Sequence, residues 1–265
     1  MKTIKLLSVL LALLMVSSAV FISCKSKTRS SEATGDSAVE AAAPNQLTQT
    51  EIEDGWVLLF DGETTKGWRG YNKQAFPDSG WTIENGTLRC IHSGTGEAGA
   101  GGDILYDKKF RNFHLKLEWM IEEGGNSGVF YLGQEIPDKK IWYTAPEMQI
   151  LDNFSNHPDN FAGKNGNRRA GSVYDLIPPN PQNAKGAMEW NSAEIIVYDG
   201  SVFHKMNGET VLEYHLWTDE WNELIENSKF PDFNPEFANV AREGYICLQD
   251  HGHDTWFRDI KIKEL

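Results

Sequence analysis

The stretch FHLKLEWMI, residues 113–121, decides the fold. Phe113, Leu115, Leu117, Trp119 and Ile121 fall on one face of an extended chain, and His114, Lys116 and Glu118 fall on the other. A two-residue period sustained over nine residues belongs to a strand with one face in a core and one in water. A second strand is expected over 127–132, directly after the turn Gly124-Gly125-Asn126.

Outward from this pair the chain keeps the same grammar. Trp56–Phe60 ends at Asp61-Gly62, and Trp81–Ile83 and Thr87–Ile91 flank Glu84-Asn85-Gly86. Asn191–Tyr198 and Val202–Met206 turn over Asp199-Gly200, Val211–His215 follows Asn207-Gly208, and Gly244–Gln249 and Thr255–Ile262 close the chain. Asn-Gly and Asp-Gly supply the positive φ that tight hairpins need. Only a short piece around 220–227 reads as helix. Many short strands separated by turn signals predict an all-β domain, a two-sheet antiparallel jelly-roll β-sandwich of the concanavalin A-like kind. Two segments stand out as loops: the glycine-rich 92–102, and the irregular 154–185 with Pro178 and Pro179. A loop as long as the second, inside a compact domain, usually carries function.

Three parts are expected along the chain. Residues 1–23 read as a lipoprotein signal peptide: Lys2 and Lys5, an apolar run from Leu6 to Ile22, then Phe21-Ile22-Ser23-Cys24. Those four residues resemble a bacterial lipobox, with Phe21 where Leu is usual. Cys24 is thus the expected lipidation site, and two or more acyl chains anchor stably. Residues 24–50 have no aromatic side chain and read as a disordered tether. Residues 51–265 fit one domain. The expected location is the cell envelope, lipid-anchored and facing the periplasm, with no other membrane contact. A net charge of -13 excludes nucleic acid as a partner and suits neutral sugars. Nine tryptophans would serve either a core or aromatic platforms for sugars. Cys90 and Cys247 either form a disulfide, which an oxidising compartment allows, or remain two separate buried thiols.

Residues 143–153 read YTAPEMQILDN. After Thr144, Ala145 and Pro146, strand alternation puts Glu147 and Gln149 on one face, and Met148 and Ile150 on the other. One bulged residue near Leu151 would return Asp152 to the Glu147 face. Two carboxylates flanking an amide is the layout of several sugar-cleaving sandwiches. The plain alternative is an edge strand with solvated polar residues.

Eight stretches in order resemble one family, the 3-keto-disaccharide hydrolase-like domain. They are GWVLLFDGETTKGWRG, WTIENGTLRC, FHLKLEWMIEEGGNSGVFYLG, APEMQILDN, AGSVYDLIPP, MEWN, MNG and GYICLQDHGHDTWFRDIKIKEL, and they span nearly all of 51–265. The resemblance implies an enzyme acting on the glycosidic bonds of 3-keto-glycosides or 3-keto-disaccharides, by hydrolysis or elimination. A ketone at C3 acidifies the C2 proton. A base removes it, an enolate forms, the C1 substituent departs, and water can add back. Such a site needs a base, a donor or cation at the C3 oxygen, and an acid for the leaving oxygen.

Glu147 is the first candidate for base or acid, with metal ligation as its alternative role. His251, in Asp250-His251-Gly252-His253-Asp254, is the second, because imidazole titrates near neutral pH. His251 and His253 stand two apart, so an extended segment would aim both at one divalent metal; the sequence leaves a metal requirement open. Asn126, among glycines that admit close backbone approach, and Gln149 are candidates to orient hydroxyls or polarise a carbonyl. Asp152 is a candidate either to buttress Glu147 or to bind the substrate directly. Lys205 is a candidate point charge for an enolate, and Arg168 and Arg169 are candidates for a hydroxyl or an anionic sugar. Tyr174, Trp190 and Trp142 are candidates for stacking on a sugar ring, with Tyr174 foremost. No glycine-rich dinucleotide fingerprint occurs, so no nucleotide cofactor is expected. Oxidation at C3 then falls to an upstream sugar 3-dehydrogenase. Two other readings compete: a non-catalytic carbohydrate-binding module of the same fold, and a laminarinase-type retaining glycosidase. The second has a Glu-x-Asp-x-x-Glu pattern, where this chain carries Gln149 and Asp152.

Overall fold

The computed structural model describes residues 43–155 and 163–265. Among the described residues thirteen strands form two antiparallel sheets packed as a sandwich. The larger sheet runs β11 (Glu209–His215), β10 (Ser201–Met206), β9 (Asn191–Tyr198), β6 (Phe113–Ile121), β13 (Thr255–Glu264), β4 (Thr87–Cys90) and β3 (Trp81–Glu84). Its eighth strand, β1 (Trp56–Leu58), pairs with the far end of β13. The smaller sheet runs β2 (Trp68–Gly70), β5 (Ile104–Tyr106), β12 (Tyr245–Leu248), β7 (Asn126–Gly133) and β8 (Glu147–Leu151).

β6 alternates as its sequence requires: the five apolar residues are buried and the four between them are half-buried. They meet Met148 and Ile150 of β8, Val129 and Tyr131 of β7, and Ile246 and Leu248 of β12 in one core. The opposite face of the smaller sheet carries its own apolar cluster, with Leu105, Phe130 and Cys247 under Ile141 and Ala145. Cys90 and Cys247 are both buried and both free, which resolves that alternative in favour of two separate thiols. One polar cluster in the core is fully paired. His204 bonds Tyr131 Oη at 2.8 Å and Gly171 O at 3.0 Å, and Tyr131 Oη lies 2.6 Å from Tyr214 Oη. Burial pulls the His204 pKa down to about 4. The imidazole is therefore neutral, with Nδ1–H donating to the carbonyl and Nε2 accepting from the phenol.

Residues 43–50, expected in the tether, belong to the folded domain. Asn45 Nδ2 donates to Gly86 O at 2.8 Å, and Asn45 Oδ1 accepts from Asp259 N at 2.8 Å. Thr48 and Glu51 form a reciprocal capping box on the first helix, α1 (Gln49–Glu53), and Glu51 pairs with the buried ammonium of Lys261 at 2.7 Å. Short polar residues read as tether composition, yet here they cap a helix and knit β13 to a turn. The rest of the expected tether, and Cys24, lie outside the described residues.

Two further helices, α2 (Asp219–Glu226) and α3 (Phe230–Phe233), lie between β11 and β12. The N-cap of α2, Thr218, accepts from Trp221 N at 3.2 Å, and Trp221 and Ile225 are buried. The described part of the long loop covers the free edge of β8. Gly171 N donates to Gln149 O at 2.8 Å, Gln149 N to Ser172 O at 3.1 Å, and Tyr174 N to Glu147 O at 3.0 Å. An edge that would otherwise present unpaired backbone is thereby satisfied.

Candidate active site

Glu147 and Gln149 project from β8 on the face turned away from the larger sheet, because their neighbours Met148 and Ile150 take the core face. Asn126, from the start of β7, lies beside them, and Gln149 Nε2 donates to its Oδ1 at 3.0 Å. The neighbouring strand makes room for Glu147 by having no side chain there: a Cβ on Gly128 would sit 2.1 Å from Glu147 Oε1. Gln249 and His251 reach the same space from the chain following β12. Together they form the polar wall of a cavity of about 270 Å³. Gln249 Oε1 and His251 Nδ1 are buried and lack a hydrogen-bond partner among the described residues. Buried polar atoms are normally paired, and the described protein residues supply no partner for these two.

Burial pushes the Glu147 carboxyl well above the usual carboxylate range; Glu97 and Asp103 add to the shift, and Lys229 opposes it. Asp103, also buried, is pushed up to about 7. Glu97 enters the cavity on the glycine-rich loop, and Asp250 fixes that loop. The Asp250 carboxylate is fully buried and accepts from Gly101 N at 2.9 Å, Gly102 N at 3.0 Å and Gly252 N at 3.0 Å. The Cys90 thiol is 3.3 Å from its Oδ1, and a Cβ on Gly99 would be 1.8 Å from that atom. Asp250 thus ties the loop bearing Glu97 to the turn bearing His251.

The opposite wall is aromatic. Phe230, Phe233 and Phe237 come from α3 and the turn after it, and Trp142 comes from a 3-10 turn at Ile141–Tyr143. Lys229 Nζ sits 4.5 Å from the Tyr174 ring centroid and 3.1 Å from Asp175 Oδ2.

Glu147, His251, Asn126, Gln149, Tyr174 and Trp142 therefore border one cavity. The other candidates stand apart from its lining. Asp152 does not return to the Glu147 face: its carboxylate accepts from Gly124 N at 3.0 Å and Phe154 N at 3.1 Å, which holds the turn before β7. Lys205 is on β10 of the larger sheet, 3.5 Å from Glu194. Trp190 lies under the Arg258 guanidinium at 3.8 Å. Arg168 is bound to Asp175 at 2.5 Å and reaches the site only through the Tyr174 ring, 5.6 Å away. Arg169 donates to Asn153 O at 3.1 Å. His253 stands behind His251, the rings nearly parallel at 5.9 Å. Among the described residues no group of three or more His, Cys, Asp or Glu side chains is placed to hold a metal ion.

Lys229, Gln249, Glu97 and the three phenylalanines were not among the expected residues. Gln249 directly precedes the Asp250–Asp254 motif, and that adjacency was its one signal. The others arrive by tertiary packing of segments that show no pattern of their own.

Fold and site together define a β-sandwich protein with a partly enclosed site of ionisable, amide and aromatic groups on one sheet. Residues 55–263 match the model of the 3-keto-alpha-glucoside-1,2-lyase-like domain, and the chain belongs to that family. It is 47% identical over 246 residues to a 3-keto-disaccharide hydrolase of Bacteroides thetaiotaomicron, covering 86% of this chain and 84% of that protein. Among solved structures, one from Parabacteroides distasonis named as a glycosyl hydrolase superposes with a TM-score of 0.73 at 30% identity. The match covers 84% of this chain and all of that one. A second from the same organism, named likewise, gives 0.63 at 25% identity over 79% of this chain and 99% of its own.

Proposed function

We propose that the protein cleaves the glycosidic bond of 3-keto-glycosides by proton transfer at C2. One observation carries this reading: the Glu147 carboxyl and the His251 imidazole border the same cavity. A binding module needs no such pair. His251 takes the C2 proton, and the charge spreads over C2, C3 and the C3 oxygen. The Asn126 and Gln249 amides line the same cavity and can donate to that oxygen, and Lys229 adds positive charge. Burial keeps Glu147 protonated, so it delivers its proton to the oxygen leaving C1. The products are an alcohol and a sugar with a C1=C2 double bond conjugated to the C3 ketone. Addition of water at C1 converts elimination into net hydrolysis. A retaining displacement would instead need a second carboxylate about 5–5.5 Å from the first, and Asp152 is engaged by backbone elsewhere.

The substrate's ketone requires an oxidising step upstream, a sugar 3-dehydrogenase. We place the protein in the cell envelope, anchored through Cys24 and facing the periplasm. Cys24→Ser should then move it from the membrane to the soluble fraction; a wild type already soluble would refute the anchor.

The enzymatic reading is tested by incubation with a panel of 3-keto-glucosides and their unoxidised parents in deuterated water. Release of the alcohol from the keto forms alone, with deuterium entering C2, is the expected result. Equal cleavage of the parents would remove the ketone from the mechanism.

A further inference from the structure

The two walls of the cavity differ in chemistry, and the difference bears on the leaving group. The wall on β7, β8 and the turn after β12 is polar: Asn126, Glu147, Gln149, Gln249 and His251. The facing wall is Trp142, Val173, Leu176, Phe230, Phe233 and Phe237. It is a built unit, since Asn234 Nδ2 donates to Tyr143 O at 2.8 Å and joins α3 to the turn bearing Trp142.

The rings are not arranged as sugar platforms. Phe230 and Phe237 stack on each other at 4.1 Å and 16°, so each occupies a face of the other. Trp142 meets Phe233 edge to face, at 5.5 Å and 81°. Such a corner accepts another aromatic ring in the offset or T-shaped contacts that aromatic pairs prefer. Phe233 is 48% exposed, an apolar surface left open at the mouth. Lys229 and Tyr174 flank this wall and are tied up, with Lys229 Nζ 3.1 Å from Asp175 Oδ2 and 3.4 Å from Tyr174 Oη; Trp142 Nε1 is buried and has no partner among the described residues.

We infer that this wall is a leaving-group subsite built for an aromatic aglycone with one hydrogen-bond acceptor, rather than for a second sugar. The inference rests on the reaction proposed above. A sugar ring held here would bring several hydroxyls against carbon, and each one left unpaired weakens binding. An aryl ring brings none, and an acceptor on it would satisfy Trp142 Nε1. The polar wall keeps the 3-keto sugar, which fixes the orientation of the bond to be broken.

The test compares three substrates of matched anomeric configuration: methyl 3-keto-glucoside, benzyl 3-keto-glucoside and a 3-keto-disaccharide. All three leave as alcohols, so the comparison reads binding at the subsite more than leaving-group chemistry. The benzyl compound is expected to exceed the other two in kcat/KM by tenfold or more. Phe233→Ala should cost at least fivefold more on the benzyl than on the methyl compound. Trp142→Phe should cost several-fold on a 4-methoxybenzyl compound and less on the benzyl one. A disaccharide preferred over benzyl, or equal losses on benzyl and methyl in Phe233→Ala, would overturn the subsite. If no keto substrate is cleaved, the reaction reading falls. Calorimetry with unoxidised benzyl glucoside then decides the subsite alone: binding weakened by Phe233→Ala upholds it, and absence of binding in the wild type overturns it.

Discussion

Glu147 lies across Gly128, where a Cβ would come within 2.1 Å of Oε1, and its carboxyl is held in the neutral form by burial. Both features have a cost. A carboxyl whose pKa is raised on folding binds its proton more tightly in the native than in the unfolded state. Its contribution to stability therefore falls as pH rises above the ordinary carboxylate range. Gln carries no such proton. Glu147→Gln is expected to lower turnover by about two to four decades, the usual worth of a general acid–base group. The same variant should melt higher than wild type at pH 8, and the gain should shrink towards pH 5. Activity assays and thermal melts at the two pH values check both halves; lower stability at pH 8 would mean that the carboxyl is satisfied rather than strained. Opposed effects on activity and stability mark a residue kept for function.

Among the elements, the glycine-rich loop and the N-terminal segment make separable predictions. Asp250→Asn removes the charge that gathers the N–H groups of Gly101, Gly102 and Gly252, and Gly99→Ala pushes a methyl group into the same carboxylate. Hydrogen bonds to charged groups are worth about 1.5–3 kcal/mol each, so the loop should loosen. Each variant is expected to lose at least tenfold in kcat/KM at temperatures well below its melting point. Normal activity in both would show that the loop does not set the site. A chain beginning at 43 should melt above one beginning at 51, because the latter lacks Asn45 and the Thr48 cap, the cap alone being worth about 0.5–2 kcal/mol. Equal melting would return residues 43–50 to the tether.

The same scale shows what could be read beforehand. β6 and the hairpins at Asn85-Gly86, Asp199-Gly200 and Asn207-Gly208 were legible because alternation and turn chemistry are local. β2 and β5, at three residues each, are too short to show a period, and nothing in FPDF marks α3 as a wall of the site. Glu147 and Gln149 sharing a face followed from strand geometry alone. Asp152 was misplaced because two backbone N–H groups, one from the distant Gly124, compete for its carboxylate and no bulge forms. Lys205 and Trp190 were judged by residue type, which is blind to the sheet a strand joins.

At the scale of the whole molecule, buried groups of opposite sign set the pH response. His204, at about 4, is protonated only in the unfolded state between that value and its ordinary 6.5, so its effect is to raise stability as pH rises through that window. Asp103, at about 7, is protonated in the native state and ionised in the unfolded one between 3.8 and 7, so its effect runs the other way, as does that of Glu147. The Asp103→Asn/Glu147→Gln double variant should therefore gain stability between pH 4 and 6.5 with a slope up to about 1.4 kcal/mol per pH unit. Wild type should show a flatter or falling curve. Urea titrations across that range check the prediction; parallel curves would mean that Asp103 and Glu147 contribute nothing to the pH response, and a variant whose stability stays flat would mean that His204 does not.

β13 is made after the other twelve strands, yet it lies inside the larger sheet, with β6 along one edge and β4 and β1 sharing the other. A nascent chain lacking it has β1 unpaired, β4 paired only with β3, and a gap in the core where Phe257, Ile260 and Ile262 belong. Such open edges invite pairing with other chains. The larger sheet is therefore joined across β6, β4 and β1 only once β13 has been made.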